Sequence, residues 1–108
     1  SLFIDPDAKQ IEAAKRTGAR AIELHTGSYA ENPSSSAIHH LSSAATQAVA
    51  LGLEVHAGHG LNYENVGPIA SISEIIELNI GHFLMGEAMF IGMKEAIIQM
   101  KKRMREAR

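Results

Sequence analysis

Ala21-Ile22-Glu23-Leu24-His25 and, further along, Ile75-Ile76-Glu77-Leu78-Asn79-Ile80 are the stretches on which the fold turns. Side chains alternate between the two faces of a strand. In the first stretch Ile22 and Leu24 share one face, while Glu23 and His25 share the other. In the second, Ile76, Leu78 and Ile80 oppose Glu77, Asn79 and Gly81. Leu2 and Ile4 oppose Phe3 and Asp5 in the same way. Strands of a doubly wound sheet are covered by helices on both faces and read as nearly continuous apolar runs. One apolar face, with the other turning polar toward the C-terminal end, instead predicts a barrel with a polar mouth and its apolar face under helices.

Working outward from these strands, four units repeat the order strand, loop, helix. Leu2 to Ile4 is the first strand. Asp5-Pro6-Asp7 then offers an N-cap with Pro at the first helical position, Ala8, Ile11 and Ala14 share a helical face, and Gly18 closes the helix. After the strand Ala21 to Leu24 comes a long loop, His25 to Ser35. A helix from about Ser36 to Leu51 follows, with Ile38, Leu41, Ala45, Ala48 and Val49 at helical spacing and Gly52 at its end. The third strand, Leu53 to Ala57, leads into Gly58-His59-Gly60 and a short helix near Glu64 to Ala70. The fourth, Ile75 to Ile80, leads into Gly81-His82 and a helix from about Glu87 to Arg105, with Met93, Ile97, Met100 and Met104 on one face. Strands alternating with helices give parallel βαβ units with right-handed crossovers. A complete (β/α)₈ barrel takes about 250 residues. The expected fold class is therefore α/β, a (β/α)₈ TIM barrel of which these four βα units make about half.

Composition narrows the function classes. A formal charge of −2 provides no basic field for nucleic acid or anionic membrane. The basic residues Lys101, Lys102, Arg103, Arg105 and Arg108 close a helix, where they complement its dipole. Cysteine is absent, which excludes a disulfide framework and fits a cytoplasmic protein. No apolar stretch approaches the ~20 residues of a membrane span, and no signal peptide is recognisable. The first residue is not Met, and a strand begins at once, as expected of a piece of a longer protein.

Three of the six histidines, His25, His59 and His82, fall just past strand C-termini, where barrel enzymes build their active sites. Glycines on both sides of His59 allow close backbone approach to a ligand and leave the imidazole open to proton transfer. Glu23, near the mouth, is suited to stabilise developing positive charge; Glu77 reads as part of a structural polar network. His39 and His40 lie mid-helix as surface residues, and His56 carries no functional expectation. Metal binding competes for a histidine-rich mouth, but Cys is absent and no His-x-x-x-His pair occurs. Many barrels hold a phosphate in the loops after strands seven and eight; if these four strands are the last four, Gly58-His59-Gly60 and Asn79-Ile80-Gly81-His82 occupy those loops and point instead to phosphate. The loop His25–Ser35, with Tyr29, is a candidate lid.

The motifs Ser-Leu-Phe-Ile-Asp (1–5), Ile-Glu-Leu-His-Thr-Gly (22–27), Ala-Gly-His-Gly-Leu (57–61) and Glu-Leu-Asn-Ile-Gly-His (77–82) resemble, in order, those of the pyridoxine 5′-phosphate synthase family. The resemblance spans essentially the whole chain and implies that residues 1–108 are the last four βα units, the C-terminal half of a single TIM-barrel domain. It implies a transferase of vitamin B6 biosynthesis that condenses 1-deoxy-D-xylulose 5-phosphate with 3-amino-2-oxopropyl phosphate, releasing phosphate and water. By position, His59 matches the family's proton donor and Glu23 a carboxylate that stabilises the transition state. Gly60, Gly81 and His82 match contacts to the amino-ketone phosphate. Asp5 and His25 match motif positions without an assigned role. The resemblance implies phosphorylated small-molecule substrates, no cofactor and no metal, and a homo-oligomer as the intact enzyme. The substrate brings its own amine, so no enzyme lysine is required. Two departures stand out: a shorter lid, and His56 where Asn is expected. The family's N-terminal half, with further catalytic His and Glu, has no counterpart here, so this chain alone is expected to be inactive. Another phosphate-binding barrel, an epimerase or aldolase, would need acidic metal ligands or a strand-end lysine, and neither is seen. A non-enzymatic half-barrel module that binds phosphate or associates with itself is the remaining alternative.

Overall fold

A computed structural model describes residues 1–108. Four strands, β1 (Leu2–Ile4), β2 (Ala21–His25), β3 (Glu54–Gly58) and β4 (Ile75–Asn79), form one parallel sheet in the order β1-β2-β3-β4. Each strand pairs with its successor, so the order never reverses as it does at the switch point of a doubly wound sheet. Between and after them run α1 (Ala8–Arg16), α2 (Gly27–Glu31), α3 (Ser35–Ala50), α4 (Val66–Ala70), α5 (His82–Ile91) and α6 (Met93–Glu106).

The core follows from strand parity. Ile22, Leu24, Val55, Ala57 and Ile75 are buried together with Ile11 and Ala14 of α1, Leu41, Ala45 and Ala48 of α3, and Ile69 of α4. On the opposite parity Phe3, Glu77 and Asn79 are exposed, and Glu23, His25 and His56 are half-buried. The helices thus cover the apolar face. At roughly 25 cal/mol per Å² of apolar surface, their packing is the main stabilising contribution.

Several local expectations need correction. Ile76 was expected on the apolar face but is 62% exposed. A bulge explains it: Val55 pairs with Ile75 and His56 with Glu77, so Ile76 is an extra residue and Ile75 takes its place in the core. Asp7, not Asp5, is the N-cap of α1, which puts Pro6 before the helix. Val49 lies exposed, not in the core, at the end of α3. The last helix is two, because Gly92 at φ +85° breaks the chain between α5 and α6. Its buried residues are Ala96 and Met100, whereas Met93 and Ile97 are exposed. The loop His25–Ser35 contains α2, and Tyr29 is buried with its hydroxyl donating to the Asn65 carbonyl at 2.7 Å. Tyr29 of the candidate lid loop is therefore part of the core.

Candidate active site

Parallel strands deliver their C-terminal ends to one edge of the sheet, and the candidate residues converge there. A cleft of about 460 Å³ is lined by Glu23, His59, Gly60, Gly81 and His82, together with Phe3, Leu61, Asn62, Asn79, Ile80 and Phe83. All five residues singled out as catalytic or substrate-binding share this one cavity. Glu77, Asp5 and His25 lie outside its lining.

Glu23 is half-buried on the sheet's polar face, where its Oε1 accepts from Asn79 Nδ2 at 2.8 Å. Gly58 makes this contact across β3 possible. A Cβ there would stand 2.6 Å from Glu23 Oε2 and 2.8 Å from the Asn79 carbonyl oxygen. Glu77 turns instead to His56, whose Nδ1 lies 3.2 Å from Glu77 Oε2 and whose Nε2 lies 3.1 Å from Glu54 Oε1. That group is the structural polar network expected for Glu77. His39 and His40 are exposed on α3, as read from their mid-helix positions.

His59 is the one residue other than glycine with positive φ, at +97°, and Gly60 follows at +77°. A side chain held there costs about 1–3 kcal/mol and persists only when its surroundings impose it. Here the surroundings are three carbonyl contacts. The Gly58 carbonyl accepts from the Thr26 amide at 2.9 Å, that of His59 from Thr26 Oγ1 at 2.6 Å, and that of Gly60 from Asn65 Nδ2 at 3.1 Å. Thr26 is fully buried and Asn65 nearly so. Asn65 is itself braced by Asn62, whose amide donates to Asn65 Oδ1 while its Oδ1 accepts from the Asn65 amide. With the carbonyls so occupied, the N–H groups of His59, Gly60 and Leu61 donate to no protein acceptor. Across the cleft Gly81 is the N-cap of α5 and His82 its first residue. That helix end adds unpaired N–H groups and the positive end of the helix dipole. Two clusters of free donors beside an imidazole and a carboxylate suit the cleft to hold an anion and move a proton.

Thr26 and Asn65 carry this geometry and were not singled out from the sequence, and Asn79 was read only as part of the Asn79-Ile80-Gly81-His82 stretch and not as the partner of Glu23. The partners of Thr26 and Asn79 are distant in the chain, 33 and 56 residues away, so no local spacing announces them. No set of three or more His, Asp or Glu side chains is arranged to hold a metal ion. No helix is long and apolar enough to cross a membrane.

Comparison with known proteins agrees on one family. The sequence model described as "Pyridoxal phosphate biosynthesis protein PdxJ" matches residues 1–106. Pyridoxine 5′-phosphate synthase of Zymomonas mobilis is 54% identical over 100% of this chain and 43% of its own length. The enzymes so named from Rhodospirillum rubrum and Legionella pneumophila are 50% and 53% identical, over 96% and 100% of this chain and 43% and 45% of their own. The chain thus spans less than half the length of the curated relatives it matches. With a family match along nearly all its residues and about half of them identical in these relatives, the chain belongs to the PdxJ family of pyridoxal phosphate biosynthesis.

Proposed function

We propose that residues 1–108 are the C-terminal half of a (β/α)₈ barrel and carry the amino-ketone side of a pyridoxine 5′-phosphate synthase active site. The unreversed parallel order and the covering of one sheet face by helices support the half-barrel. The intact enzyme condenses 1-deoxy-D-xylulose 5-phosphate with 3-amino-2-oxopropyl phosphate, giving pyridoxine 5′-phosphate, phosphate and water.

In this reading the free amides around Gly60 and the Gly81–His82 start of α5 bind the phosphate of the amino ketone. His59 donates a proton to the departing oxygen, and Glu23, oriented by Asn79, stabilises positive charge that develops on the substrate. The observation that carries the proposal is the single cleft lined by all five residues. The protein is cytoplasmic in this reading. The intact enzyme is a homo-oligomer, for which the exposed Met89 and Phe90 on α5 provide apolar surface.

The test is product formation from both substrates in a polypeptide of the relatives' length that carries this chain. His59→Ala is expected to lower turnover about 100- to 10,000-fold, the range of a lost general acid. The 108-residue chain alone should be inactive, since the remaining catalytic groups belong to the other half. Full turnover in the Ala variant, or any by the chain alone, would reject the respective statement.

A further inference from the structure

His25 has no role in the reaction as described and does not line the cleft, yet its ring is the immediate neighbour of the His59 ring. The two centroids are 4.5 Å apart with the planes tilted by 36°. On its other side His25 meets Phe3 at 4.8 Å, so Phe3, His25 and His59 form one continuous aromatic run into the cleft. His25 is anchored within this run. Its Nδ1 accepts a 2.9 Å hydrogen bond from the Gly27 amide. A backbone N–H can only donate, so in the neutral ring the proton sits on Nε2 and the orientation of the imidazole is set.

Gly27 is shaped to this arrangement. A Cβ on it would stand 2.3 Å from His25 Cε1, 2.8 Å from His25 Nδ1 and 3.1 Å from His59 Cδ2. Both imidazoles therefore pack directly over this residue. Thr26, between His25 and Gly27, holds the carbonyls of Gly58 and His59. Three consecutive residues at the end of β2 thus fix the backbone and the ring of a residue 33 positions away.

We propose that His25 is a positioning residue for His59: its ring, locked by the Gly27 amide and backed by Phe3, holds the His59 imidazole in the direction that faces the cleft. This rests on the reading of His59 as the proton donor. Ring placement is where such an effect acts, because misplacing a reacting group by about 1 Å can cost ~100-fold in rate.

Two variants separate the parts of the device. His25→Asn keeps an acceptor for the Gly27 amide but removes the ring. His25→Phe keeps the ring and removes the acceptor. By NMR on this chain, His25 is expected as the Nε2–H tautomer, with cross-relaxation between the two rings and displacement of the His59 ring signals by the His25 ring current. The Asn variant should return the His59 ring signals to those of a mobile imidazole, and the Phe variant should keep them displaced. Unchanged His59 signals in the Asn variant would overturn the proposal.

In the polypeptide of the relatives' length, the Asn variant should lose ~100-fold in kcat at unchanged KM. The Phe variant should recover most of that loss despite a lower melting temperature. Equal kcat in wild type and Asn variant, or a loss confined to KM, would also overturn it. His59→Ala is measured alongside: if that variant keeps its turnover, the proton-donor reading fails, while the NMR result still decides whether His25 orders the His59 ring.

Discussion

The two walls of the cleft are built differently. One wall, where β2 and β3 end, is knitted together: Thr26 and Asn65 are buried and hold three successive carbonyls of the Gly58-His59-Gly60 turn. The other wall, Asn79 to Phe83 at the end of β4, continues into α5, a helix with no buried residue. Its ties to the rest of the cleft are sparse: Asn79 reaches Glu23, and Phe83 meets Tyr63 edge-on at 4.7 Å. The difference teaches a division of labour. The groups that must hold direction, the imidazole of a residue at positive φ and a carboxylate, stand on the bonded wall. The opposing wall offers a helix end, whose attraction for an anion depends less on the placement of any one side chain.

One substitution made on both walls should break the symmetry of the cleft most clearly. Gly58→Ala drives a Cβ against Glu23 and the backbone of Asn79, and is expected to destabilise by about 1–3 kcal/mol in denaturant unfolding. Gly81→Ala meets nothing within 4 Å at an ordinary negative φ, and should stay within about 0.5 kcal/mol of wild type. Equal effects would mean the walls are equally packed.

Tyr29→Phe sharpens the same contrast through pH. Burial holds the Tyr29 hydroxyl above its ordinary value of 10.0, so the folded state favours the protonated, donating form. Its contribution is complete below about pH 10 and is lost as pH rises through the folded-state value. The Phe variant should lose about 1 kcal/mol at neutral pH and show a weaker alkaline fall in stability.

At His59 the backbone can be isolated from the ring. His59→Gly should be about 1 kcal/mol more stable than His59→Ala, the reverse of the usual order, because only glycine is unstrained at φ +97°. Ala equal to Gly in unfolding free energy would show that the turn relaxes without cost.

The smallest effect belongs to the β4 side. Hydrogen bonds from its own backbone amide, from Ser73 and from Thr46 hold Glu74 below its usual carboxylate range. This stabilisation is present above about pH 4.5 and is lost as pH falls through the folded-state value. Glu74→Gln should flatten the acid limb of the stability profile slightly and leave the alkaline limb unchanged.

How much could be read from the sequence differs between the same two regions. Glu23 and His25 were legible because β2 alternates without interruption, so parity alone puts them opposite Ile22 and Leu24. In β4 the same rule failed at Ile76, since a bulge is set by pairing with β3 and leaves no mark in the local pattern. The glycine-flanked histidines marked the cleft. What bends His59 into place did not show, because Thr26 acts from 33 residues away and Asn65, five residues past Gly60, acts through an ordinary polar side chain. The burial of Tyr29 within the candidate lid did not show because its partner, Asn65, lies 36 residues on. Gly92 looked like one glycine inside a helix and turned out to be the joint between two.

The extra residue at Ile76 has a consequence for how this strand tolerates insertion and deletion. Ile75 below it and Leu78 above it both pack on the helix side, while Glu77 and Asn79 both face away. Excising Ile76 would restore simple alternation without reversing any of these four side chains. The lower part of β4 can therefore lengthen or shorten by one residue while Asn79 stays opposite Gly58 and within reach of Glu23.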